Sequence, residues 1–436
     1  PFLVPWSSKT RNLPPVSFEE FNVRVRAARA VLVATHGLRR GSRVAVLCHA
    51  CPDSLALSVA VAECGGVVVN LNWRQPPATL RALAAGLRCS LVVAGRGLAP
   101  MARTIAAACA ASALLLVEGA ETELAPLEPG ELAFSCASLA PPHVAVGSAE
   151  PDDVAVVMFT SGTTALPKAV PLTHRGLLWS CDAKRRAEQE ALNLSLAAHE
   201  GSLAFLPSFH VIGFTNNFLC NLRHGTRCLL HHDAPTTPTS APLLLRAATE
   251  LRPSLIDTVP VLLEAMLPLD ADTIATLRAC KAVMYGGAPL SHAAWIEMRK
   301  NGICVLSQYG QTELGGMALI GSGMAPYGGL APVPGVTAAL EPASEGNLVL
   351  TGVQSLTPGY WPLDPPEAGA AGAAPARPPP RANAPGAAWP TGDVFRSEGG
   401  KVEFKHIERA GEGDQLSPVW LRHVCRADEL LVHTSG

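Results

Sequence analysis

From Gly41 onward, short β-branched runs alternate with stretches of helical periodicity. Residues 43–48, 67–70, 90–93 and 114–117 read as strands, and residues 53–63, 78–86 and 101–111 between them read as helices. A second series starts near Asp153. It comprises strands at 154–159, 202–205, 227–230, 254–258, 282–285 and 303–306. Helices are predicted from 173 to about 194, with Thr173 as N-cap, and at 242–251, 261–267 and 291–300. Strands alternating with helices build βα units around a mostly parallel sheet, so two consecutive series predict an α/β fold of two stacked βα-layered subdomains with a cleft between them. After about Gly328 helical periodicity fades, and short strands such as 347–350 sit among Pro and Gly, as in a small β-rich subdomain. Residues 365–390 are dominated by Ala, Pro and Gly and read as a disordered surface insertion in a large domain spanning 1–392.

Composition narrows the function classes. With 48% hydrophobic and 16% charged residues, the 436-residue chain is globular and large enough for a sizeable core. A net charge of -2 argues against a nucleic-acid partner. The 27 Arg against 7 Lys reflect a base preference in the coding sequence more than a function. Twelve cysteines show no disulfide framework; Cys48 and Cys51 form a C-x-x-C without a second pair, which reads as buried, inert thiols. Such usage fits a reducing, intracellular compartment, the cytoplasm being the expectation. No apolar run reaches transmembrane length, residues 105–117 being too short. The chain opens on Pro1, which leaves an organellar targeting segment open.

Three separated segments point to one nucleotide site. Thr160-Ser161-Gly162-Thr163-Thr164-Ala165-Leu166-Pro167-Lys168 follows the 154–159 strand and reads as a strand-to-helix loop. Gly162 permits a tight turn, the hydroxyls of Thr160, Ser161, Thr163 and Thr164 can donate to phosphate oxygens, and Lys168 adds positive charge. It is not a Walker loop. A plain polar turn would also gather Ser, Thr and Gly, but the unbroken run followed by Pro-Lys exceeds what a turn needs. Tyr309-Gly310-Gln311-Thr312-Glu313 reads as a turn following another strand: a purine-stacking ring, a phosphate-binding hydroxyl and a magnesium carboxylate. Thr391-Gly392-Asp393 offers a carboxylate for ribose hydroxyls.

Two further segments stay balanced between site and scaffold. Tyr285-Gly286-Gly287-Ala288-Pro289 ends a strand, and its glycines either admit a flat ligand or simply make a turn. Phe209-His210-Val211-Ile212-Gly213 either gates a substrate pocket or packs as scaffold. Gly321-Ser322-Gly323 and Gly95-Arg96-Gly97 lack the third glycine of a dinucleotide fingerprint.

In this order the motifs resemble those of the adenylate-forming superfamily of AMP-dependent synthetases and ligases: acyl-CoA synthetases, nonribosomal-peptide adenylation domains and firefly-type luciferases. The family pattern T-S-G-T-T-G-x-P-K-G matches 160–169, with Ala165 and Ala169 in place of glycine. Its H-x-x-G, G-G-A-P, Y-G-x-T-E and T-G-D match 210–213, 286–289, 309–313 and 391–393, and Asn70-Leu71-Asn72-Trp73-Arg74 resembles an early core segment. The resemblance implies ATP and Mg2+ as cofactors and coenzyme A as co-substrate. It implies that Tyr309 flanks adenine with Gly286, Gly287 and Ala288 behind it, with Gly310 and Gln311 in the same segment. It places Thr160, Ser161, Gly162, Thr163, Thr164 and Lys168 at the β/γ-phosphates, Thr312 at the α-phosphate, Glu313 on magnesium, Asp393 on ribose, and His210 with Gly213 at the acyl pocket. The implied reaction is attack of a carboxylate on the α-phosphorus with loss of pyrophosphate, then transfer of the acyl group to a thiol.

The far end departs from the pattern. Arg426-Ala427-Asp428 resembles the family hinge, with Arg426 for ribose and Cys425 where the family has glycine. The sequence stops at Gly436, so residues 393–436 are expected to hold a linker, the hinge and only a stub of an α+β C-terminal domain. Residues 407–424 lengthen the distance to the hinge and read as an insertion or a gene-model error. The leading expectation is an acyl-CoA synthetase-like ligase acting on a small carboxylic acid. Its alternatives are the adenylation domain of a carrier-protein-dependent reductase or synthetase, and a non-catalytic nucleotide- or acyl-binding relic. Peripheral membrane contact is left open. Pocket residues between Phe209 and Asn217 and near 283–287 look mostly apolar, which suits a fatty or aromatic acid.

Overall fold

The computed structural model describes residues 1–8, 14–109, 111, 114–117, 126–127, 131–135, 149–160, 166–192, 197–231, 239–321, 327–341, 345–363, 384–398 and 420–426. Two sheets form its frame. The seven-stranded sheet runs, in spatial order, Glu131–Phe134, Leu114–Val117, Leu91–Gly95, Arg43–Leu47, Val67–Asn70, Val154–Phe159 and Ala169–Thr173. Its first six strands are parallel, and the last pairs antiparallel with Val154–Phe159. Residues 43–47 are all buried, because helices cover a parallel sheet on both faces.

The twelve-stranded sheet begins with a parallel half: Leu3–Trp6, Arg227–His231, Gly201–Ala204, Leu255–Thr258, Ala282–Tyr285 and Val305–Gln311. It continues antiparallel through Gly316–Ile320, Gly329–Pro332, Trp420–Arg426, Trp389–Glu398, Glu345–Thr351 and Thr337–Glu341. The expected β-rich region after Gly328 is therefore the continuation of this sheet. Separate apolar clusters fill the spaces around the sheets.

Most expected elements stand within a few residues. The helix His174–Leu192 starts where Thr173 predicted, with the Gly176 amide donating to Thr173 Oγ1 at 3.1 Å. The differences have local causes. The phosphate-loop segment does not lead into a helix: Thr160 N donates to the Lys168 carbonyl at 3.2 Å, and the chain continues as the strand Ala169–Thr173. A strand-loop-strand hairpin therefore replaces the expected strand-to-helix turn. Likewise Tyr309, Gly310 and Gln311 lie inside the strand Val305–Gln311, with a bulge between Tyr309 and Gly310, and only Thr312 and Glu313 enter a short 3₁₀ turn. The 365–390 insertion lies outside the described residues as far as 383. From there it is built into the fold, Trp389 and Pro390 opening a ten-residue strand. The elements before Gly41, among them a strand, a helix and the π turn Val31–Thr35 that continues it, were not predicted. The strand Leu3–Trp6 pairs far along the chain with Arg227–His231, and the helix Phe18–Ala30 is announced by a Ser17/Glu20 capping box.

Among the described residues no helix is long and apolar enough to cross a membrane. The C-x-x-C holds buried thiols, and Cys51 caps a helix by accepting from the Ser54 amide. Burial pushes the Cys51 thiol up to about 11.

Candidate functional site

The parallel strands Ala282–Tyr285 and Val305–Gln311 direct their C-terminal ends into a cleft of about 510 Å3. Open α/β sheets bind ligands at such ends. One wall is the turn after Tyr285, where Gly287 takes φ 84°, a left-handed conformation that suits glycine, and Ala288 and Pro289 are exposed to the cleft. Gly286 is buried against Gln308, so a side chain there would meet the Gln308 Cγ at 2.9 Å. Tyr309, Gly310 and Gln311 form the floor.

Asp393 closes the cleft from the strand Trp389–Glu398. Its carboxylate is almost fully buried and accepts from the Tyr309 hydroxyl at 2.5 Å and from Gln311 Nε2 at 2.9 Å, both on Oδ2. Gln311 Nε2 also donates to the Thr391 carbonyl at 2.7 Å, and Trp389 Nε1 donates back to Gln311 Oε1 at 3.0 Å. Gln311 thus lines the cleft while its amide bolts the Tyr309 strand to the Asp393 strand. Arg426 pairs with Asp393 through the backbone register of the last two strands.

A second group gathers beside the 3₁₀ turn. Tyr360 donates to Glu313 Oε1 at 2.7 Å, and the Lys168 ammonium lies 4.8 Å from the centre of the Tyr360 ring. The Thr357 amide donates to the Glu313 carbonyl at 2.7 Å. Tyr360 therefore joins the lysine of the phosphate loop to the expected magnesium carboxylate. Thr312 opens the turn, and Thr160 stands at the loop's root. Ser161, Gly162, Thr163, Thr164 and Ala165 lie outside the described residues, as do Ala427, Asp428 and the residues after them.

His210 and Gly213 are not among the residues lining the 510 Å3 cleft. His210 follows Phe209, with ring centres 4.8 Å apart, and Phe209 packs edge-on to Trp73 at 5.7 Å. The His210 ring reaches solvent yet stands in a crowded recess; that crowding, and then the nearby Arg74 cation, hold its pKa below the ordinary imidazole value. Gly213 faces the backbone: a Cβ there would lie 2.2 Å from the Pro207 carbonyl oxygen, so the residue is a close-approach point in the scaffold. The early segment is tied to this corner by Asn70 Nδ2, which donates to the Ser208 carbonyl at 2.7 Å.

Sequence reasoning missed Arg422, His423, Tyr327 and Tyr360. Arg422 and His423 come from the strand Trp420–Arg426 and line the cleft. The Arg422 guanidinium lies 5.0 Å from the centre of the Tyr327 ring. His423 Nε2 stands 3.7 Å from Asp393 Oδ1, and its ring lies roughly parallel to Tyr309 at 6.4 Å. The available signal was the run Leu421 to Val424 just ahead of the hinge-like residues, which reads as a strand once Asp393 needs a partner.

The profile of the family described as AMP-binding enzyme matches residues 14–361. Among curated proteins, feruloyl-CoA synthase of Amycolatopsis sp is 28% identical over 359 residues, covering 79% of this chain and 66% of the relative. The 4-coumarate–CoA ligase CCL1 of Humulus lupulus is 26% identical over 254 residues, covering 58% of this chain and 44% of the ligase. The chain thus spans two thirds or less of the length of these two relatives. Among solved structures, the anthranilate CoA ligase AuaEII in complex with anthranoyl-AMP superposes with a TM-score of 0.77 at 17% identity, over 98% of this chain and 75% of that one. The O-succinylbenzoate coenzyme A synthetase of Bacillus subtilis in complex with AMP gives 0.69 at 17% identity, over 98% and 94%. These likenesses establish the fold.

Proposed function

The chain belongs to the AMP-binding enzyme family, and from that premise we propose that it activates a carboxylic acid with ATP, releasing pyrophosphate and forming an acyl-adenylate for transfer to the thiol of coenzyme A. The observation that carries this reading is the convergence of Gly287, Tyr309 and Asp393, from three separate segments, on one cleft at the strand ends. A purine fits between the Tyr309 ring and the wall of Gly287 and Ala288, and a ribose diol fits the Asp393 carboxylate.

The residues also fit the ion that such a reaction uses. Magnesium takes one or two protein carboxylates and fills its other positions with phosphate and water, so Glu313 alone meets its need. When bound, the cation would offset the phosphate charge. The chain's own contribution is placement. Tyr360 aims Glu313, Lys168 presents a cation beside it, and Thr160 and Thr312 offer hydroxyls from the two strand ends. Holding the carboxylate in line with the α-phosphorus converts a two-body encounter into a step within one complex, which is where such sites gain most of their rate.

The relatives' names supply the substrate direction. Feruloyl-CoA synthase, the 4-coumarate ligase and the anthranilate ligase are named for aromatic acids, which favours an aromatic over a fatty acid here. The test is carboxylate-dependent ATP–pyrophosphate exchange with aromatic and fatty acids. Exchange that requires both one acid and Asp393 supports the reading. Absence of exchange with every acid, in protein that still binds Mg·ATP, would overturn it in favour of a nucleotide-binding relic.

A further inference from the structure

The strand Trp420–Arg426 slips once against its neighbour Trp389–Glu398. Asp393 faces Arg426 and Val394 faces Cys425, but Phe395 faces His423, so Val424 is the extra residue of a bulge. In an unbroken ladder Phe395 would face Val424. A bulge re-aims the side chains beyond it, and bulges gather beside ligand sites. Here it brings an imidazole, where a valine would otherwise stand, into the 510 Å3 cleft that Asp393 and Tyr309 also line. The ring is braced there. The fully buried Phe395 ring stands edge-on to both His423, at 5.2 Å, and Tyr309, at 5.1 Å.

The two nitrogens of His423 meet different surroundings. Nδ1 is buried and has no hydrogen-bond partner among the described residues. A proton there would be a stranded donor, so the neutral ring carries its proton on Nε2, the nitrogen that faces the Asp393 carboxylate. Nε2 and Asp393 Oδ1 are 3.7 Å apart, too far for a direct hydrogen bond. A third oxygen spans such a gap, because it can stand about 2.8 Å from both atoms. The spanning group must accept from Nε2–H and donate to a carboxylate. A hydroxyl does both with one oxygen, whereas a carbonyl or ether cannot donate and an ammonium cannot accept. The other carboxylate oxygen is engaged within the fold, since Oδ2 accepts from Tyr309 and Gln311. An incoming hydroxyl is therefore directed to the side of His423.

Resting on the adenylation reading, we infer that His423 is a ribose-binding residue of this chain. One sugar hydroxyl accepts from its Nε2 and donates to Asp393 Oδ1, so two residues hold that hydroxyl and together select a ribonucleotide over its deoxy form.

The test titrates AMP, 2′-deoxy-AMP and 3′-deoxy-AMP by calorimetry into the unmutated protein and into His423→Phe. That variant keeps a ring against Phe395 and removes both nitrogens. It should bind AMP about fivefold more weakly, the contribution of one neutral hydrogen bond. One deoxy analogue should weaken by the same factor and the other not at all, the second being the one that lacks the clamped hydroxyl. His423→Gln, which keeps an amide donor, should recover most of the AMP affinity. Weakening of all three ligands alike, or of none, makes His423 mere wall and overturns the inference while the nucleotide site stands. If neither variant folds, diethylpyrocarbonate labelling of the unmutated protein, read by mass spectrometry, decides. At equal occupancy AMP should protect His423 severalfold better than one of the two analogues does, and equal protection by all three overturns the inference. No binding of AMP to the unmutated protein overturns the adenylation reading as well.

Discussion

The Tyr309 hydroxyl donates to Asp393 Oδ2 at 2.5 Å, joining a residue of the parallel half of the large sheet to one of its antiparallel half. The proposed adenine-stacking ring and the proposed ribose carboxylate therefore hold each other in place. A hydrogen bond to an ionised group contributes about 1.5–3 kcal/mol. Gln311 still supports Asp393 when the phenol is removed. Tyr309→Phe is accordingly expected to raise the Kd for AMP by about tenfold, measured by calorimetry. Asp393→Ala, which removes the carboxylate itself, should abolish measurable exchange.

Tyr360 couples Glu313 to Lys168 across the mouth of the phosphate loop. Tyr360→Phe keeps the ring under the lysine and removes the donor to the carboxylate. Because this contact is partly solvated, we expect the loss to be near 1 kcal/mol, about fivefold. It should appear as a higher Mg2+ concentration at half-maximal exchange, with the KM for the acid unchanged. An unaltered magnesium titration would show that Glu313 is positioned by its backbone alone.

Lys184 is held as a buried cation. Burial pulls its pKa down, but the Asp257 and then the Glu188 carboxylates more than compensate and leave it above the ordinary lysine value. Lys184→Met would leave the buried Asp257 carboxylate without its cation and Glu188 with Arg185 alone. Breaking a buried pair in this way costs about 3–5 kcal/mol. Urea denaturation should show a midpoint shift of that size with little change in slope.

Acid should destabilise the fold early. Burial holds the imidazoles of His36 and His174 below their ordinary pKa, and burial with Arg74 does so for His210. Each group binds its proton less well folded than unfolded. Its contribution is complete above the ordinary value of about 6.5 and is lost as the pH falls through the lowered folded value. Melting temperatures measured from pH 8 to pH 5 should therefore decline below about 6.5. A flat profile across that window would count against all three assignments.

The thiols are expected to be chemically quiet. Burial pushes Cys64 up to about 11 and Cys109 and Cys228 up to about 12. The thiolate is the reactive form. Iodoacetamide at pH 7.5 should label these three cysteines in native protein far more slowly than in urea, as read by mass spectrometry.

The sequence by itself determined the alternation of elements and the motifs at their ends. Both are local: β-branched runs such as Val67–Asn70 have few alternatives to a strand, and Gly287 with Ala288 and Pro289 is written beside the strand it terminates. It also offered Tyr309, Glu313 and Asp393 as a set, because residue type and order suffice for that. Tertiary structure alone decided which of them meet. The pairing of Tyr309 with Asp393 spans 84 residues and depends on sheet register, and that of Glu313 with Tyr360 spans 47 and depends on the turn after Leu356. His210 lies outside the 510 Å3 cleft, on a corner where Gly213 packs on the Pro207 backbone, a contact without a sequence signature. Asn217, Asp257 and Gln308 looked like isolated polar residues in apolar runs. Only folding brings the Asn217 and Gln308 amides to the Asp257 carboxylate, and their NH2 groups turn toward it for a reason no spacing along the chain encodes.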